Sequence, residues 1–233
     1  MAGETIKTHA LCLRIHPWSR TSHVVSWLSP AGRVATVVKG AVRPKSMFLG
    51  QYDLNYTCEI VYYASSRGSL HVLRECAPLD ARSYLRSSFR LLAMADYFRF
   101  LAGELSPAGP ECSEWFDMLE QSLKPEFLGA PGDLLGKMLF FEIRVLDLLG
   151  LRPALTPVDG AFALRGERMM KVSASVAACI ENPLAEKNRQ TLLDAARVIG
   201  VFYKFHVDCA SDIRRTVLKL ISTNKQGSGT DGH

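Results

Sequence analysis

The chain has 233 residues, of which 48% are hydrophobic and 22% are charged, and its formal net charge is +5. This composition is that of an ordinary globular protein, so it excludes a fully disordered chain and allows one large domain or two smaller ones. The first residues lack the apolar core of a signal peptide, and no apolar run approaches the roughly 18 residues of a membrane span. We therefore expect a cytoplasmic protein that does not contact the membrane.

Alternation of apolar and polar residues predicts β-strands in the first third of the chain. We expect them at 8–16, 23–28, 33–38, 53–63 and 70–79. In the first of them Leu11, Leu13 and Ile15 should face the core, and Arg14 should point away from it. Short strands joined by glycine-containing turns fit a small closed barrel, for which the OB-fold is the expected form and a small SH3-like barrel the alternative.

From Ser83 onward the apolar residues recur at helical spacing. Helices are predicted at 83–105, 112–123, 133–149, 187–207 and 211–221, and the stretch 152–182 is predicted to be a hairpin or an irregular excursion. The polar residues 223–233 should form a disordered tail. The predicted fold is therefore α+β, with an N-terminal five-stranded OB-fold β-barrel at residues 1–82 and a mostly α-helical domain at 83–222.

The charges are distributed unevenly along the chain. Residues 1–82 hold 10 Lys/Arg against 5 Asp/Glu, whereas residues 83–233 hold 18 against 18. Between Glu4 and Asp53 there is no acidic residue at all. Because a surface of one sign attracts a polyanion, this asymmetry predicts contact with nucleic acid. The simpler alternative is a solvated basic face, although such a face normally carries both signs.

Three segments resemble the bacterial RecO family of recombination mediators. They are Leu13-Arg14-Ile15-His16-Pro17-Trp18-Ser19-Arg20-Thr21-Ser22, Gly32-Arg33-Val34 and Lys39-Gly40-Ala41-Val42-Arg43-Pro44-Lys45-Ser46. The resemblance implies an OB-fold followed by a helical domain. It also implies a protein that binds single- and double-stranded DNA, anneals complementary strands, and acts with RecR to load RecA onto DNA coated by single-strand-binding protein. Such a protein would be associated with the nucleoid.

The chain departs from the family pattern at one point. Many RecO proteins carry a zinc site of four cysteines after the middle helices, whereas residues 152–182 of this chain contain only Cys179. We therefore expect no metal and no cofactor. The six cysteines are far apart and include no Cys-x-x-Cys pair, so most of them are expected to be small buried hydrophobic residues.

Cationic side chains and one aromatic side chain are the predicted DNA contacts. Lys39, Arg43 and Lys45 come first, because Gly40 and Pro44 indicate an exposed loop. The other predicted contacts are Arg14, Arg20, Arg33 and Trp18. Trp18 would provide a surface on which a base stacks, with Phe48, Tyr52 and Tyr56 as further candidates. The alternative for each aromatic residue is a place in the core of the barrel.

A second candidate site lies near the C-terminus, where basic and apolar residues alternate on two predicted helices. Its basic residues are Arg197, Lys204, Arg214 and Arg215. An apolar groove with a basic rim would accept an acidic and hydrophobic peptide such as the tail of single-strand-binding protein. The alternative is an ordinary packed helix face.

The sequence offers no pattern typical of a catalytic site. Its six histidines show no His-x-x-x-His spacing, and there is no Walker loop, dinucleotide fingerprint or Gly-x-Ser-x-Gly turn. We therefore predict a DNA-binding protein that is not an enzyme. An RNA-binding OB-fold protein of translation or RNA handling and a protein-interaction scaffold are the alternatives. The stoichiometry with RecR, the oligomeric state and the repair pathway do not follow from the sequence.

Overall fold

The computed structural model describes residues 4–66, 68–109, 111–158, 161–165 and 170–222; for residues 158, 161–165 and 208 it describes only the backbone. The predicted disordered tail, 223–233, lies outside these residues. The chain divides into two compact units, Met1–Pro131 with Arg144–Gly150, and Gly132–Ile143 with Leu151–His233. The proposed domain boundary after residue 82 stays a prediction.

The first unit contains a closed barrel of five strands in the order β1-β2-β3-β5-β4. The strands are β1 (Thr5–Ser19), β2 (Ser22–Ser29), β3 (Gly32–Val38), β4 (Thr57–Tyr63) and β5 (Leu70–Asp80). Strand β1 pairs antiparallel with both β2 and β4, and β3 pairs parallel with β5. This order closes the sheet as in an OB-fold and leaves no free edge. The predicted α+β class and OB-fold barrel are confirmed.

In the first strand, the residues that face the interior of the barrel differ from the predicted ones. Ala10 and Cys12 belong to the apolar cluster inside the barrel, and Ile15 packs against it. The pairing of β1 with β2 shifts register between Cys12 and Arg14, so the alternation restarts there. Leu13, predicted to face the core of the barrel, instead lies beside Gly103 of a neighbouring helix. Because a helix covers the outer face of β1, both faces of this strand are apolar.

Helices complete the first unit. A 3₁₀ turn, Ser83–Ser87, leads into α1 (Phe89–Leu105), which is followed by α2 (Cys112–Ser122) and a π turn, Pro125–Gly129. The fully buried guanidinium of Arg82 connects this helical part to the barrel. It donates hydrogen bonds to Thr57 Oγ1 of β4 at 2.9 Å and to Glu120 Oε2 of α2 at 2.8 Å. Arg82 is therefore a structural residue.

Helix α3 (Leu134–Leu148) contributes to both units. In the second unit, the stretch predicted to be a hairpin or an irregular excursion contains a three-stranded antiparallel sheet of β6 (Ala154–Val158), β7 (Ala161–Arg165) and β8 (Met170–Val172). It is followed by α4 (Ala174–Glu181), which the sequence analysis missed, by α5 (Arg189–His206), a 3₁₀ turn at Asp208–Ala210, and α6 (Ser211–Ser222). No helix in the described part of the chain combines the length and the hydropathy of a membrane-spanning segment.

Gly200 of α5 provides a test of the packing in the second unit. A Cβ at Gly200 would lie 2.6 Å from Arg214 Nη1. The guanidinium of Arg214 cannot easily move away, because it donates hydrogen bonds to Glu142 and to the Ala196 carbonyl oxygen. Replacing glycine by alanine inside a helix usually stabilises by about 1 kcal/mol. We expect the opposite for Gly200→Ala, a loss of about 1 to 3 kcal/mol from overpacking.

Urea denaturation of the purified full chain measures this effect. Gly103→Ala in α1 is the matched control, because a Cβ there meets only the Leu13 side chain at 3.6 Å, an ordinary van der Waals distance. The control should be neutral or stabilising. A stabilised Gly200→Ala variant would contradict the packing described for Arg214.

Candidate nucleic-acid interface

The connection from β3 to β4 begins with residues 39–52, which we call the basic loop. Its backbone forms a series of turns: Arg43 N donates to Gly40 O at 3.1 Å, Ser46 N to Arg43 O at 2.9 Å, and Gln51 N to Phe48 O at 3.1 Å. Gly40 has a φ of 68°, a conformation that favours glycine. These hydrogen bonds define the backbone of the loop, and so they define the points from which its side chains project.

Two buried residues and two hydrogen bonds hold the basic loop against the barrel. Ala41 and Phe48 belong to the apolar cluster inside the barrel. Val42 N donates to Thr21 O at 3.3 Å, and Gly40 N donates to Ser22 Oγ at 3.2 Å. Thr21 lies in the turn between β1 and β2. This turn therefore lies directly beside the loop.

Four of the six predicted cations come together in this region. Lys39, Arg43 and Lys45 are exposed on the loop, and Arg20 is exposed in the adjacent β1–β2 turn. None of the four forms an ion pair with a residue that the structure describes. Their charges are not offset by neighbouring carboxylates, so they remain available to a polyanion. An exposed group of cations of this kind neutralises phosphates without reading base sequence.

Arg14 and Arg33 lie elsewhere and have different surroundings. Arg14, with 42% of its side chain exposed, forms an ion pair with Glu104 of α1. Arg33 Nη1 donates to the Gly103 carbonyl oxygen of the same helix at 3.0 Å. Both arginines line a cavity of about 230 Å³ on the barrel. The structure shows them connecting the barrel to α1, and their predicted contact with DNA remains untested.

Strand β3 separates these two groups of cations. Arg33 lies near its first residue, Gly32, and Lys39 follows its last residue, Val38. The six residue steps from Arg33 to Lys39, at about 3.3 Å each, give a separation of about 20 Å along the strand. The carboxylate partner of Arg14 comes from Glu104, far along the chain, and no local sequence pattern indicated it.

Trp18 is the most exposed of the aromatic candidates. Its side chain is 64% exposed near the end of β1, two residues before Arg20. Phe48 is buried in the barrel, as the alternative interpretation predicted. The Tyr52 hydroxyl is 2.8 Å from His23 Nδ1, and burial raises the pKa of Tyr52. The Tyr56 hydroxyl accepts a hydrogen bond from Arg86. Trp18 alone of these four therefore presents most of its ring to solvent beside the cations.

The sequence analysis missed a group of apolar side chains on the basic loop. Val42, Met47 and Leu49 are 49%, 66% and 60% exposed. They alternate with the cations and with the two anchoring residues of the loop. No periodic pattern marks a loop of successive turns, so the sequence did not reveal which of its apolar residues face solvent.

In the second unit the four predicted basic residues of the C-terminal site do not form one surface. Arg214 is buried, and its guanidinium forms two hydrogen bonds to Glu142 at 2.8 and 2.9 Å. It cannot form part of an exposed rim, which corrects the expectation for this residue. Arg215 is exposed and lies 3.4 Å from Asp212. Arg197 is exposed and pairs with Asp194, and Lys204 is exposed on α5.

An exposed face of α5 nevertheless remains. Val201 lies four residues after Arg197, and Lys204 and Phe205 lie three and four residues after Val201, which places the four side chains on one side of the helix. Val201 and Phe205 are 36% and 52% exposed. A peptide-binding role for this face remains a prediction.

The cysteines do not form a metal site in the described part of the chain. There, no group of three or more His, Cys, Asp or Glu side chains is placed to hold a metal ion. Cys179, the one cysteine of residues 152–182, is buried, and burial raises its pKa to about 11. The buried Cys12 also has a raised pKa because of its burial. A thiol with a raised pKa is a poor nucleophile and metal ligand.

The chain is similar to curated proteins named DNA repair protein RecO. It is 29% identical to the protein from Roseiflexus sp. (strain RS-1) over 155 residues, which cover 66% of this chain and 53% of that protein. It is 31% identical to the protein from Rhodopirellula baltica over 150 residues, covering 62% of this chain and 53% of that protein. For the protein from Syntrophus aciditrophicus the identity is 26% over 153 residues, covering 65% and 58%.

These alignments span little more than half the length of each relative. No protein-family model matches the chain. The resemblance to RecO that was predicted from residues 13–46 is confirmed by the three relatives.

Proposed function

We propose that this chain, which resembles RecO proteins, acts in DNA repair by binding DNA through its basic loop and by annealing complementary strands. One observation carries the proposal: Arg20, Lys39, Arg43 and Lys45 are exposed, close together, and free of carboxylate partners among the described residues. The relatives named DNA repair protein RecO support the choice of DNA repair.

Annealing by such a surface requires no catalysis. Lysine and arginine side chains neutralise phosphates and release counterions, so two polyanionic strands approach each other at a lower electrostatic cost. Base pairing then supplies the free energy of the reaction. Under this proposal the protein is therefore not an enzyme, and it uses no cofactor. It would act in the cytoplasm, at the nucleoid.

The proposed partners follow from the resemblance to RecO. They are single- and double-stranded DNA, RecR, and single-strand-binding protein, and the result of their joint action would be RecA loaded onto single strands. The exposed face of α5, with Lys204, Val201 and Phe205, is the proposed contact for the acidic and hydrophobic tail of single-strand-binding protein.

A salt titration tests the function. Binding of a labelled single-stranded oligonucleotide should weaken with salt with a log–log slope of about −3, because four cations contribute roughly −0.7 each. Competition by an RNA strand of the same sequence distinguishes the DNA-binding function from the RNA-binding alternative. Tighter binding of the RNA would reject the proposed substrate, and absence of salt-sensitive binding to either strand would indicate a protein scaffold.

Annealing is tested separately. Complementary oligonucleotides coated with single-strand-binding protein should anneal faster when the full chain is added. The comparison without the chain gives the rate of spontaneous annealing. An unchanged rate would reject the annealing part of the proposal.

Trp18 provides a spectroscopic test of base contact. The other two tryptophans, Trp27 and Trp115, are 0% and 3% exposed, so quenching of fluorescence by single-stranded DNA should come from Trp18. Stacking of a base on an aromatic ring contributes about 1 to 3 kcal/mol, so Trp18→Ala should weaken single-strand binding about 5- to 150-fold. Duplex DNA, whose bases are paired and stacked, should be affected less.

Trp18→Phe is the matched variant, because it keeps an aromatic ring at the same position. It should retain most of the affinity while it loses the fluorescence change. Equal affinity of the wild-type protein and of Trp18→Ala for single strands would exclude base stacking at this residue.

A further inference from the structure

A second surface of the first unit carries the opposite charge to the basic loop, and part of its wall is aliphatic. It is a groove of about 480 Å³ where the end of α1, the start of α2 and the end of α3 meet. Leu105, Leu148 and Leu149 are half-buried in its wall, and Glu111 and Glu114 are exposed at its rim. Neither glutamate forms an ion pair with a residue that the structure describes. We call this feature the acidic groove.

The basic loop carries positive charge, and it also exposes aliphatic side chains. Val42, Met47 and Leu49 are about half or more exposed, and Arg43 and Lys45 lie among them without ion-pair partners in the described part of the chain. Bases stack on aromatic rings, whereas these three side chains are aliphatic. Exposed aliphatic groups next to charges are typical of a surface that packs against another protein.

The two surfaces cannot meet within one molecule. At one end of β3 the backbone of Gly32 is so close to the α1–α2 connection that a Cβ would lie 2.7 Å from the Ala108 carbonyl oxygen. Ala108 lies between Pro107 and Glu111, two residues of the groove. The basic loop starts at the other end of the strand, after Val38. Strand β3 therefore holds the groove and the loop about 20 Å apart.

We propose that the basic loop of one copy of this chain docks into the acidic groove of a second copy. The aliphatic side chains of the loop would fill the groove, and Arg43 and Lys45 would face Glu111 and Glu114. The contact joins two different surfaces, so it is heterologous, and each added copy leaves one loop and one groove free. The expected assembly is a short head-to-tail chain of copies. This inference does not depend on the proposed DNA binding, although DNA would compete for the same loop.

The first test is the mass of the full chain in solution without nucleic acid, measured by sedimentation velocity. The mean mass should rise from the 25.8 kDa of one copy to at least about twice that value as the protein concentration increases. High salt should return it to one copy, because the rim contacts are between exposed charges. A mass of one copy at every concentration in low salt would overturn the proposal.

A reciprocal charge reversal tests the partner surfaces. The groove variant is Glu111→Lys/Glu114→Lys, and the loop variant is Arg43→Glu/Lys45→Glu. Each variant alone should stay at the mass of one copy, because each brings like charges together. Mixing the two should restore association, because both possible contacts then pair opposite charges. All four side chains are exposed, and circular dichroism checks that each variant remains folded.

A mixture that stays at the mass of one copy would overturn the proposal, as would a groove variant that associates like the wild-type protein. Met47→Ser/Leu49→Ser removes the aliphatic contacts and leaves the charges in place, so it should also reduce the association. Since these measurements use protein alone, a failure of DNA binding would leave their result unchanged, and a failure of association would leave the proposed DNA binding intact.

Discussion

The variant Lys39→Glu/Arg43→Glu/Lys45→Glu is expected to lose single-stranded DNA binding by about 100-fold or more at low salt. A cation and a phosphate about 4 Å apart attract each other by about 1 kcal/mol in water, and reversal turns this attraction into repulsion. Three reversals therefore cost several kcal/mol, and every 1.4 kcal/mol is about tenfold in affinity. Annealing of complementary strands should be lost together with binding.

The melting temperature of this variant should remain nearly unchanged. The three side chains are exposed and form no ion pairs with described residues, and such surface substitutions change stability by about 0.5 kcal/mol or less. The loop keeps its shape through backbone hydrogen bonds and through Phe48, which the substitutions do not touch. Loss of binding with an unchanged melting temperature would assign the effect to the site itself.

A matched control distinguishes the effect of the basic loop on DNA binding from the effect of the net charge. Lys171→Glu/Lys187→Glu/Lys204→Glu reverses three exposed lysines of the second unit and changes the net charge by the same amount. Binding measured by fluorescence anisotropy should fall much less in this control than in the loop variant. Equal losses in the two variants would show that overall charge governs binding, and full annealing by the loop variant would reject the site.

The second large effect is expected on stability, at Glu142. This carboxylate is fully buried in α3, and it accepts two hydrogen bonds from the Arg214 guanidinium of α6 at 2.8 and 2.9 Å. The guanidinium also lies 5.7 Å from the centre of the Tyr203 ring. Glu142→Gln removes the carboxylate that pairs with this buried guanidinium, and breaking a buried ion pair costs about 3 to 5 kcal/mol. Urea denaturation of the full chain measures the loss.

Two further variants test whether the loss of stability comes from breaking the buried ion pair. Asp212→Asn removes the partner of Arg215, an exposed pair in which 95% of the Asp212 side chain is accessible, and it should cost about 1 kcal/mol or less. The double variant Glu142→Leu/Arg214→Met replaces both buried charges by apolar groups and should recover much of the lost stability. If Glu142→Gln were as stable as the wild-type protein, the buried pair would not have the structural role described.

The strands and helices with strong periodicity were predicted well from the sequence. Strand β2 was expected at 23–28 and lies at Ser22–Ser29, and α5 was expected at 187–207 and lies at Arg189–His206. Their apolar residues repeat at the period of the element they form, and this pattern is local. Helix α4, Ala174–Glu181, was missed because it is only eight residues long and follows a stretch rich in proline and glycine. Ser173, whose hydroxyl accepts a hydrogen bond from Val176 N, is the N-cap that could have indicated it.

The strand faces and the groups of charges were harder to predict. The register shift in β1 between Cys12 and Arg14 changes which residues face the barrel, and it depends on pairing with β2. The ion pair between Arg14 and Glu104 and the buried pair between Arg214 and Glu142 join residues far apart in the chain. Neither pairing produces a local pattern in the sequence.

The sequence by itself determined the strands of the OB-fold barrel, most of the helices and the excess of positive charge in the first third of the chain. These properties follow from local periodicity and from residue counts. Only the tertiary structure decided which cations remain available, since the α1 contacts engage Arg14 and Arg33, while Arg20, Lys39, Arg43 and Lys45 have no such partners among the described residues. The physical reason is that the field of a charge depends on the distance to its neighbours in space, and folding sets that distance.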